Sequence, residues 1–193
     1  MSYPHLNYEA VVIGVSAGGL FALSTTLGEF PADFPLPVIV VQHRSKDESS
    51  VLENVLQSKC KMKIKQADEK EKIRGAVVYI APAGYHLLIE KNRSFSLNCD
   101  PPVNYSRPSI DVLFQTAAEV YNDKLIGVIL TGANKDGAAG IQTIKARGGL
   151  TIAQSPASAS FPTMPQAAID TGSVKYIFEL EEVKNFLLDI GKN

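Results

Sequence analysis

Short apolar runs flanked by glycine or proline recur along the 193 residues and constrain the fold more than any other feature. They cover residues 10–15, 36–41, 76–81, 125–131, 150–153 and 174–178. Most of them are continuous rather than alternating, which is typical of strands buried on both faces of a parallel sheet. Segments with helical spacing lie between them, at residues 20–27, 49–58, 109–121, 138–147 and 181–190. This alternation predicts a three-layer α/β/α fold built on a mostly parallel sheet.

One region departs from the alternation. Residues 77–80, the turn at 81–85 and residues 86–90 have the pattern of a β-hairpin, and residues 94–98 are a candidate further strand. We expect this antiparallel hairpin at one edge of the sheet.

Lysines 61, 63 and 65 alternate with apolar residues at the period of a strand. Alternating lysines protect an exposed edge strand from pairing with other chains, so we predict an edge strand here. A basic docking surface is the weaker alternative.

The composition indicates one folded domain over residues 1–193. Hydrophobic residues make up 45% of the chain and charged residues 20%, which excludes a disordered protein. The net charge of -1 provides no general attraction for nucleic acid or anionic lipid. The N-terminus lacks the pattern of a secretion signal, and no stretch approaches the roughly 18 apolar residues of a membrane helix. We therefore expect a cytoplasmic protein without membrane insertion.

Metal and cofactor chemistry find little support in the sequence. Its two cysteines, Cys60 and Cys99, are far apart and form no CxxC motif, which argues against a zinc site and against a disulfide framework. We predict reduced thiols, no metal ion and no cofactor.

The sequence Gly-Val-Ser-Ala-Gly at residues 14–18 directly follows the first predicted strand and precedes a helix. This is the setting of a nucleophile elbow, in which Ser16 stands exposed on a sharp turn. Backbone N–H groups at the start of the helix could then bind a developing oxyanion. The alternative is the phosphate-binding turn of a dinucleotide-binding protein, which Gly18 and Gly19 would also suit.

The end of the second predicted strand separates these alternatives. A dinucleotide-binding protein usually places an acidic residue there to bind ribose, whereas this chain has Gln42 and His43. His43 could serve as a general base. His5 lies in the N-terminal tail and His86 follows a predicted turn, so His43 is the histidine that we expect at the same sheet edge as Ser16.

Asp136 follows another predicted parallel strand, in the loop before a helix. By itself it is more often the N-cap of that helix than a catalytic acid. Because the carboxyl ends of parallel strands meet at one edge, its placement with Ser16 and His43 favours catalysis. In the resulting mechanism His43 takes the Ser16 proton and Asp136 orients the imidazole. Ser16 then attacks an ester or amide carbonyl to form an acyl-enzyme.

Several motifs, in this order, resemble those of one family. They are IGVSAGG at 13–19, VVQH at 40–43, YIAP at 79–82, HLL at 86–88, PSIDVLF at 108–114, LTG at 130–132, DGA at 136–138 and MP at 164–165. The chain resembles the catalytic domain of chemotaxis protein-glutamate methylesterases, also called protein-glutamine glutaminases (CheB-type). The resemblance implies a doubly wound sheet and a triad of Ser16, His43 and Asp136. It also implies a substrate, γ-glutamyl methyl esters on the cytoplasmic helices of chemoreceptors, hydrolysed to glutamate and methanol.

The chain departs from the family pattern beside the nucleophile and before the aspartate. Family members often carry a hydroxyl residue and a Met-Gly pair at the places that hold Ala17, Ala133 and Asn134 here. We expect the backbone N–H groups of Ala17 and Ala133 to serve as oxyanion donors. Asn134 could adopt a positive φ more readily than most residues.

The usual two-domain member has an N-terminal phospho-receiver domain, whereas the first predicted strand of this chain starts at about residue 10. We therefore expect a stand-alone enzyme or control in trans by a separate regulator. A non-catalytic signalling adaptor with this fold and a Rossmann-like nucleotide-binding module are the alternatives from other classes.

Overall fold

The computed structural model describes residues 7–44 and 51–192. The strands are β1 (Ala10–Val15), β2 (Val38–Gln42), β3 (Lys63–Gln66), β4 (Val77–Ile80), β5 (His86–Ile89), β6 (Phe95–Asn98), β7 (Leu125–Ile129), β8 (Leu150–Gln154) and β9 (Tyr176–Phe178). The helices are α1 (Gly19–Leu27), α2 (Val51–Gln57), α3 (Ile110–Tyr121), α4 (Ala138–Ala146), α5 (Thr163–Asp170) and α6 (Leu180–Ile190). None of these helices is long and apolar enough to cross a membrane. His5 and the first two residues of the predicted helix 49–58 lie outside the described residues.

Seven strands form one sheet in the order β3-β4-β2-β1-β7-β8-β9, and each pair of neighbours is parallel. The chain places β2, β3 and β4 on one side of β1, with β4 inserted between β2 and the edge strand β3, and then returns to β7 to build the other half. This is a doubly wound sheet with its reversal of strand order between β1 and β7. Both of these central strands are buried at every position, as their continuous apolar runs predict.

Helices cover both faces of the sheet. Alternate residues of β1 enter two apolar clusters, Val11 and Ile13 on one face and Ala10 and Val12 on the other. The first cluster includes buried residues of α1, α2 and α6, and the second those of α3, α4 and α5. The prediction of a three-layer α/β/α fold is therefore confirmed. Of the two cysteines, both free, Cys60 is buried and Cys99 is exposed.

The antiparallel hairpin exists and contains the predicted strands at 86–90 and 94–98, but the prediction that residues 77–80 form part of it is wrong. β4 is an internal strand of the parallel sheet, between β3 and β2. The antiparallel partners are β5 and β6, which form a separate two-stranded sheet closed by a turn with Arg93 at a φ of 61°. Leu87 and Ile89 of β5 enter the apolar cluster that contains α3. The run Val77–Ile80 is nearly buried on both faces, so its apolar pattern fits a sheet interior better than a hairpin.

β3 lies at an edge of the sheet, as the alternating lysines predict. Lys63 is exposed and Ile64 is buried, so the strand presents its charged side chains toward solvent. Lys65 contacts Asp68 at 2.7 Å and Glu71 at 2.8 Å.

Candidate active site

Ser16 and His43 each lie one residue beyond the end of a strand, and those strands are paired. The register places Val15 opposite Gln42, and the His43 N–H continues the ladder by donating to the Val15 carbonyl at 3.1 Å. On the other side of β1, the Ser16 N–H donates to the Thr131 carbonyl at 3.0 Å, just beyond β7. Both residues therefore lie at the carboxyl edge of the sheet, next to the reversal of strand order, where open α/β sheets bind their ligands.

Two glycines allow the sharp turn that presents Ser16. Gly18 is the N-cap of α1 with a φ of 79°, a conformation that costs glycine little. A Cβ on Gly19 would lie 1.9 Å from the Gln42 side-chain oxygen, so only glycine leaves room for that side chain. Gln42 Nε2 donates to the carbonyls of Ser16 at 2.9 Å and His43 at 3.0 Å. Gln42, which stands where a dinucleotide-binding protein usually has its ribose-binding acid, thus joins the segments that carry Ser16 and His43.

Asp136 is fully buried, and its carboxylate is surrounded by hydrogen-bond donors. Oδ2 accepts from His43 Nε2 at 2.8 Å and from the Ile110 N–H at 2.6 Å. Oδ1 accepts from Asn104 Nδ2 at 3.0 Å, Ser109 Oγ at 2.9 Å and the Asp111 N–H at 3.2 Å. Burial alone would raise the pKa of Asp136, but the hydrogen bonds from His43, Asn104 and Ile110 outweigh it and hold this pKa below its usual value. The carboxyl group is therefore ionised at neutral pH.

Asp136 does not cap the helix that follows it. The N-cap of α4 is Gly137, and no side chain caps that position. The carboxylate instead accepts from the first two N–H groups of α3, whose N-cap position is held by Ser109. The positive end of the α3 dipole adds to the stabilisation of the charge.

The contacts of His43 define its tautomer. An ionised carboxylate only accepts, so the ring proton lies on Nε2, which faces Asp136. The other nitrogen, Nδ1, lies 3.1 Å from Asn134 Nδ2 and 3.5 Å from Ser106 Oγ. The Asp136 N–H donates to Asn134 Oδ1 at 3.0 Å, so the amide must turn its NH₂ group toward Nδ1. A neutral imidazole with its proton on Nε2 and its lone pair on Nδ1 therefore donates to Asp136 and accepts from the Asn134 amide.

The structure joins His43 and Asp136 directly and places Ser16 beside His43 through the β1–β2 ladder. Within the described ranges, no hydrogen bond links the Ser16 hydroxyl to His43, so the serine–imidazole contact stays a prediction. His86 is engaged elsewhere: its Nδ1 accepts from the Ser109 N–H at 3.2 Å, and its Nε2 lies 3.2 Å from the Pro101 carbonyl.

The proposed oxyanion donors lie on the two loops that flank Ser16. For the part of the chain that the structure describes, neither the Ala17 N–H nor the Ala133 N–H donates to a protein acceptor. Their role stays a prediction. Asn134 is absent from the described non-glycine residues with positive φ, so the tolerance of asparagine for positive φ is not used at this position. Its side chain, rather than its backbone, is what distinguishes this loop.

Asn104 is a site residue that sequence reasoning missed. Its Nδ2 lies 3.0 Å from Asp136 Oδ1 and 2.8 Å from Asp111 Oδ2, so one amide bridges two buried carboxyl groups. Burial raises the pKa of Asp111, the Gly140 N–H opposes this, and the Asp136 charge adds to it. Asn104 has a φ of 50° in a turn closed by backbone bonds between Val103 and Ser106. The turn has a sequence signal, because asparagine tolerates positive φ, but nothing local places it beside Asp136.

Gly14 sets the spacing between β1 and the start of α3. A Cβ there would lie 2.4 Å from Ile110 Cγ2 and 3.0 Å from Ile129 Cδ1. We expect Gly14→Ala to lower the free energy of unfolding by about 1–3 kcal/mol, as overpacked cores do. Urea unfolding measures this effect. An Ile110→Ala background removes the closest of these atoms, so the same substitution should cost less there. Equal costs in the two backgrounds would contradict the explanation.

Several known proteins resemble this chain over almost its whole length. A Leptospira interrogans protein, named as a candidate protein-glutamate methylesterase/protein-glutamine glutaminase, is 50% identical over 188 residues, which is 97% of both chains. The protein-glutamate methylesterase/protein-glutamine glutaminase of Clostridium acetobutylicum is 36% identical over 95% of this chain but only 53% of its own length. The crystal structure of the Thermotoga maritima CheB methylesterase catalytic domain superimposes with a TM-score of 0.91 at 32% identity, covering 96% of this chain and 100% of that one.

The nucleotide-binding alternative is not favoured by these relatives. Residues 11–187, from the strand that carries Ser16 to the last helix, match the family described as CheB methylesterase. The chain therefore belongs to the CheB methylesterase family.

Proposed function

We propose that this chain hydrolyses γ-glutamyl methyl esters of protein side chains, with Ser16 as nucleophile, His43 as general base and Asp136 as the carboxylate that positions it. The observation that carries the proposal is the 2.8 Å contact between His43 and the buried, ionised Asp136, next to the strand end that bears Ser16. Membership of the CheB methylesterase family supports the reaction class.

The chemistry follows from the tautomer of His43. Nδ1 takes the Ser16 proton as Oγ attacks the ester carbonyl, and the resulting imidazolium keeps its Nε2–H bond to Asp136. The tetrahedral intermediate collapses when methoxide leaves with the proton from Nδ1 as methanol. Water then loses a proton to Nδ1 and attacks the acyl-enzyme, which releases glutamate and restores the Ser16 hydroxyl. The Ala17 and Ala133 N–H groups are the candidate donors to the oxyanion.

A protein substrate suits the surface around the site. We call Leu20, Phe21, Tyr105 and Phe161 the apolar rim: each is exposed, from 40% for Leu20 to essentially fully for Tyr105. Leu20 and Phe21 follow Ser16 on the first turn of α1, and Phe161 binds Thr131 through its backbone. Large apolar side chains exposed in one region of a surface are typical of sites that bind other proteins. Chemoreceptor cytoplasmic helices are the proposed substrate, which implies action in the cytoplasm, with a separate regulator as the proposed means of control.

The proposal is tested by labelling and turnover together. A fluorophosphonate should modify Ser16 and no other serine, as mass spectrometry of the digested protein would reveal. Wild-type protein should release methanol from a methylated receptor segment, and a glutamine-containing segment measures deamidation in parallel. Labelling at another serine would contradict the assignment of the nucleophile. Ser16 labelling without methanol release would contradict only the proposed substrate.

A further inference from the structure

His43 Nδ1, the nitrogen that the reaction needs as a base, already accepts a hydrogen bond from another side chain. Asn134 Nδ2 lies 3.1 Å from His43 Nδ1, and the amide is held in this orientation by the Asp136 N–H at 3.0 Å from Asn134 Oδ1. A neutral imidazole nitrogen has one lone pair, in the plane of the ring, and can accept one good hydrogen bond. The Asn134 amide and the Ser16 hydroxyl are therefore competitors for the same lone pair.

We propose that Asn134 is a positioning residue that holds His43 in a resting arrangement, and that its amide must leave Nδ1 before Ser16 can give up its proton. The inference rests on the proposed function, because it assumes that Nδ1 is the base. The described contacts support it: Nδ1 has the Asn134 amide and a long 3.5 Å contact to Ser106 Oγ as its neighbours, and no hydrogen bond to Ser16.

The two anchors of the ring lie on one loop. Asp136 binds Nε2 and Asn134 binds Nδ1, with a single residue between them in the chain. This arrangement fixes the plane of the imidazole and its tautomer from both sides. The same rigidity opposes catalysis, because the Ser16 hydroxyl must replace the Asn134 amide as the hydrogen-bond donor to Nδ1, and breaking the existing bond costs free energy. A typical net hydrogen-bond contribution corresponds to a change of about 2- to 10-fold in the reactivity of Ser16.

Two substitutions at Asn134 should act in opposite directions. Asn134→Ala removes the donor, so the fluorophosphonate labelling rate of Ser16 should rise by about 2- to 10-fold. Asn134→Asp keeps the shape of the side chain but turns an acceptor toward Nδ1, which then must carry a proton. The labelling rate of that variant should fall by at least about 10-fold, since the base is no longer free. Asn134→Gly is a second donor-free variant in case the alanine variant folds poorly.

A spectroscopic signature separates this role from a merely structural one. Because the Ser16 hydroxyl can replace the amide on Nδ1, the comparison is made in a Ser16→Ala background. In ¹⁵N spectra of the histidine rings, His43 Nδ1 should behave as a hydrogen-bonded acceptor in Ser16→Ala and as a free lone pair in Ser16→Ala/Asn134→Ala. In Asn134→Asp it should behave as a protonated nitrogen. The His86 ring serves as the internal control, because its partners are the Ser109 N–H and the Pro101 carbonyl and should not change.

An Nδ1 signal that is the same in Ser16→Ala and Ser16→Ala/Asn134→Ala, or a labelling rate equal to or below that of wild type in a folded donor-free variant, would overturn the inference. The proposed function fails by a different result, namely a wild-type protein whose Ser16 is not labelled and that releases no methanol. The ¹⁵N measurement needs no turnover, so the two failures are distinguishable.

Discussion

Ser16→Ala and His43→Ala are each expected to lower the rate of methanol release by about 10⁶-fold, by analogy with serine-protease measurements in which loss of the nucleophile or of the base costs nearly as much as loss of the whole triad. The physical reason is that His43 acts only through the proton of Ser16. Its Nε2 is committed to Asp136 at 2.8 Å, which leaves Nδ1 as the nitrogen that can take a proton. Without the Ser16 hydroxyl there is no proton to take and no nucleophile to form the acyl-enzyme.

The double variant Ser16→Ala/His43→Ala should be little slower than either single variant. Independent contributions would instead multiply, so a double variant slowed by the product of the two factors would contradict a single proton-transfer unit. Circular dichroism is the folding control. Ser16→Ala should unfold close to the wild-type midpoint. His43→Ala removes a hydrogen bond to the buried Asp136 carboxylate, so this variant should be folded in buffer but unfold at a lower urea concentration.

The residues that the sequence places at this edge of the sheet share one property: each lies beyond the carboxyl end of a parallel strand. Ser16 and His43 are fixed by the paired ends of β1 and β2, and Asp136 lies in the loop after β7. The position of a residue after a buried parallel strand specifies the edge of the sheet on which it lies. The three-layer architecture was predictable for the same reason, because burial on both faces leaves a continuous apolar run.

The partners of these residues were not predictable from local pattern. Asn104, Ser106 and the first N–H groups of α3 reach Asp136 and His43 from a turn and a helix that precede β7 in the chain. Asn134 stands out in the sequence as a departure from the family pattern, but the sequence points to its backbone φ rather than to its side chain. Which group an amide faces depends on tertiary packing that no spacing rule encodes. The misplaced hairpin has a similar origin, because a short apolar run followed by a turn fits a hairpin and an internal strand equally well.

Asp136→Asn is expected to lower turnover by about 10⁴-fold, the effect known for the corresponding substitution in serine proteases, where it gives the wrong histidine tautomer. Both carboxylate oxygens of Asp136 face donors, so the new NH₂ group must oppose one set of them. If NH₂ takes the Oδ2 position, Nε2 must become an acceptor and the ring proton moves to Nδ1, where it meets the Asn134 donor. Methanol release measures the loss. Activity within about 10-fold of wild type would contradict the role of Asp136.

Asp136→Ala should also lower the free energy of unfolding far more than an alanine substitution at a solvent-facing strand end would. Loss of a helix cap costs about 1 kcal/mol, and that figure would apply if Asp136 merely began α4. Instead its side chain is fully buried, and its removal strands the N–H groups of Ile110 and Asp111 and the hydroxyl of Ser109. Each buried donor left unsatisfied costs about 1–3 kcal/mol, so we expect a total of roughly 3–5 kcal/mol after relaxation. Urea unfolding at neutral pH measures it.

The pH dependence of the stability difference between wild type and Asp136→Asn tests directly whether the buried carboxyl group is ionised. The pKa of Asp136 is held below its ordinary value of 3.8, so the folded state binds the proton more weakly than the unfolded state does. The stabilisation is therefore fully present above this ordinary value and is lost as the pH falls through the lower, folded-state value. Asp136→Asn has no such proton to bind, so the stability gap between wild type and this variant should narrow on acidification below about pH 4. Urea midpoints of both proteins from pH 7 to pH 3 measure the gap. A gap that stays constant over this range would mean that the site does not stabilise the ionised carboxylate, and the positioning of His43 by a fixed negative charge would have to be abandoned.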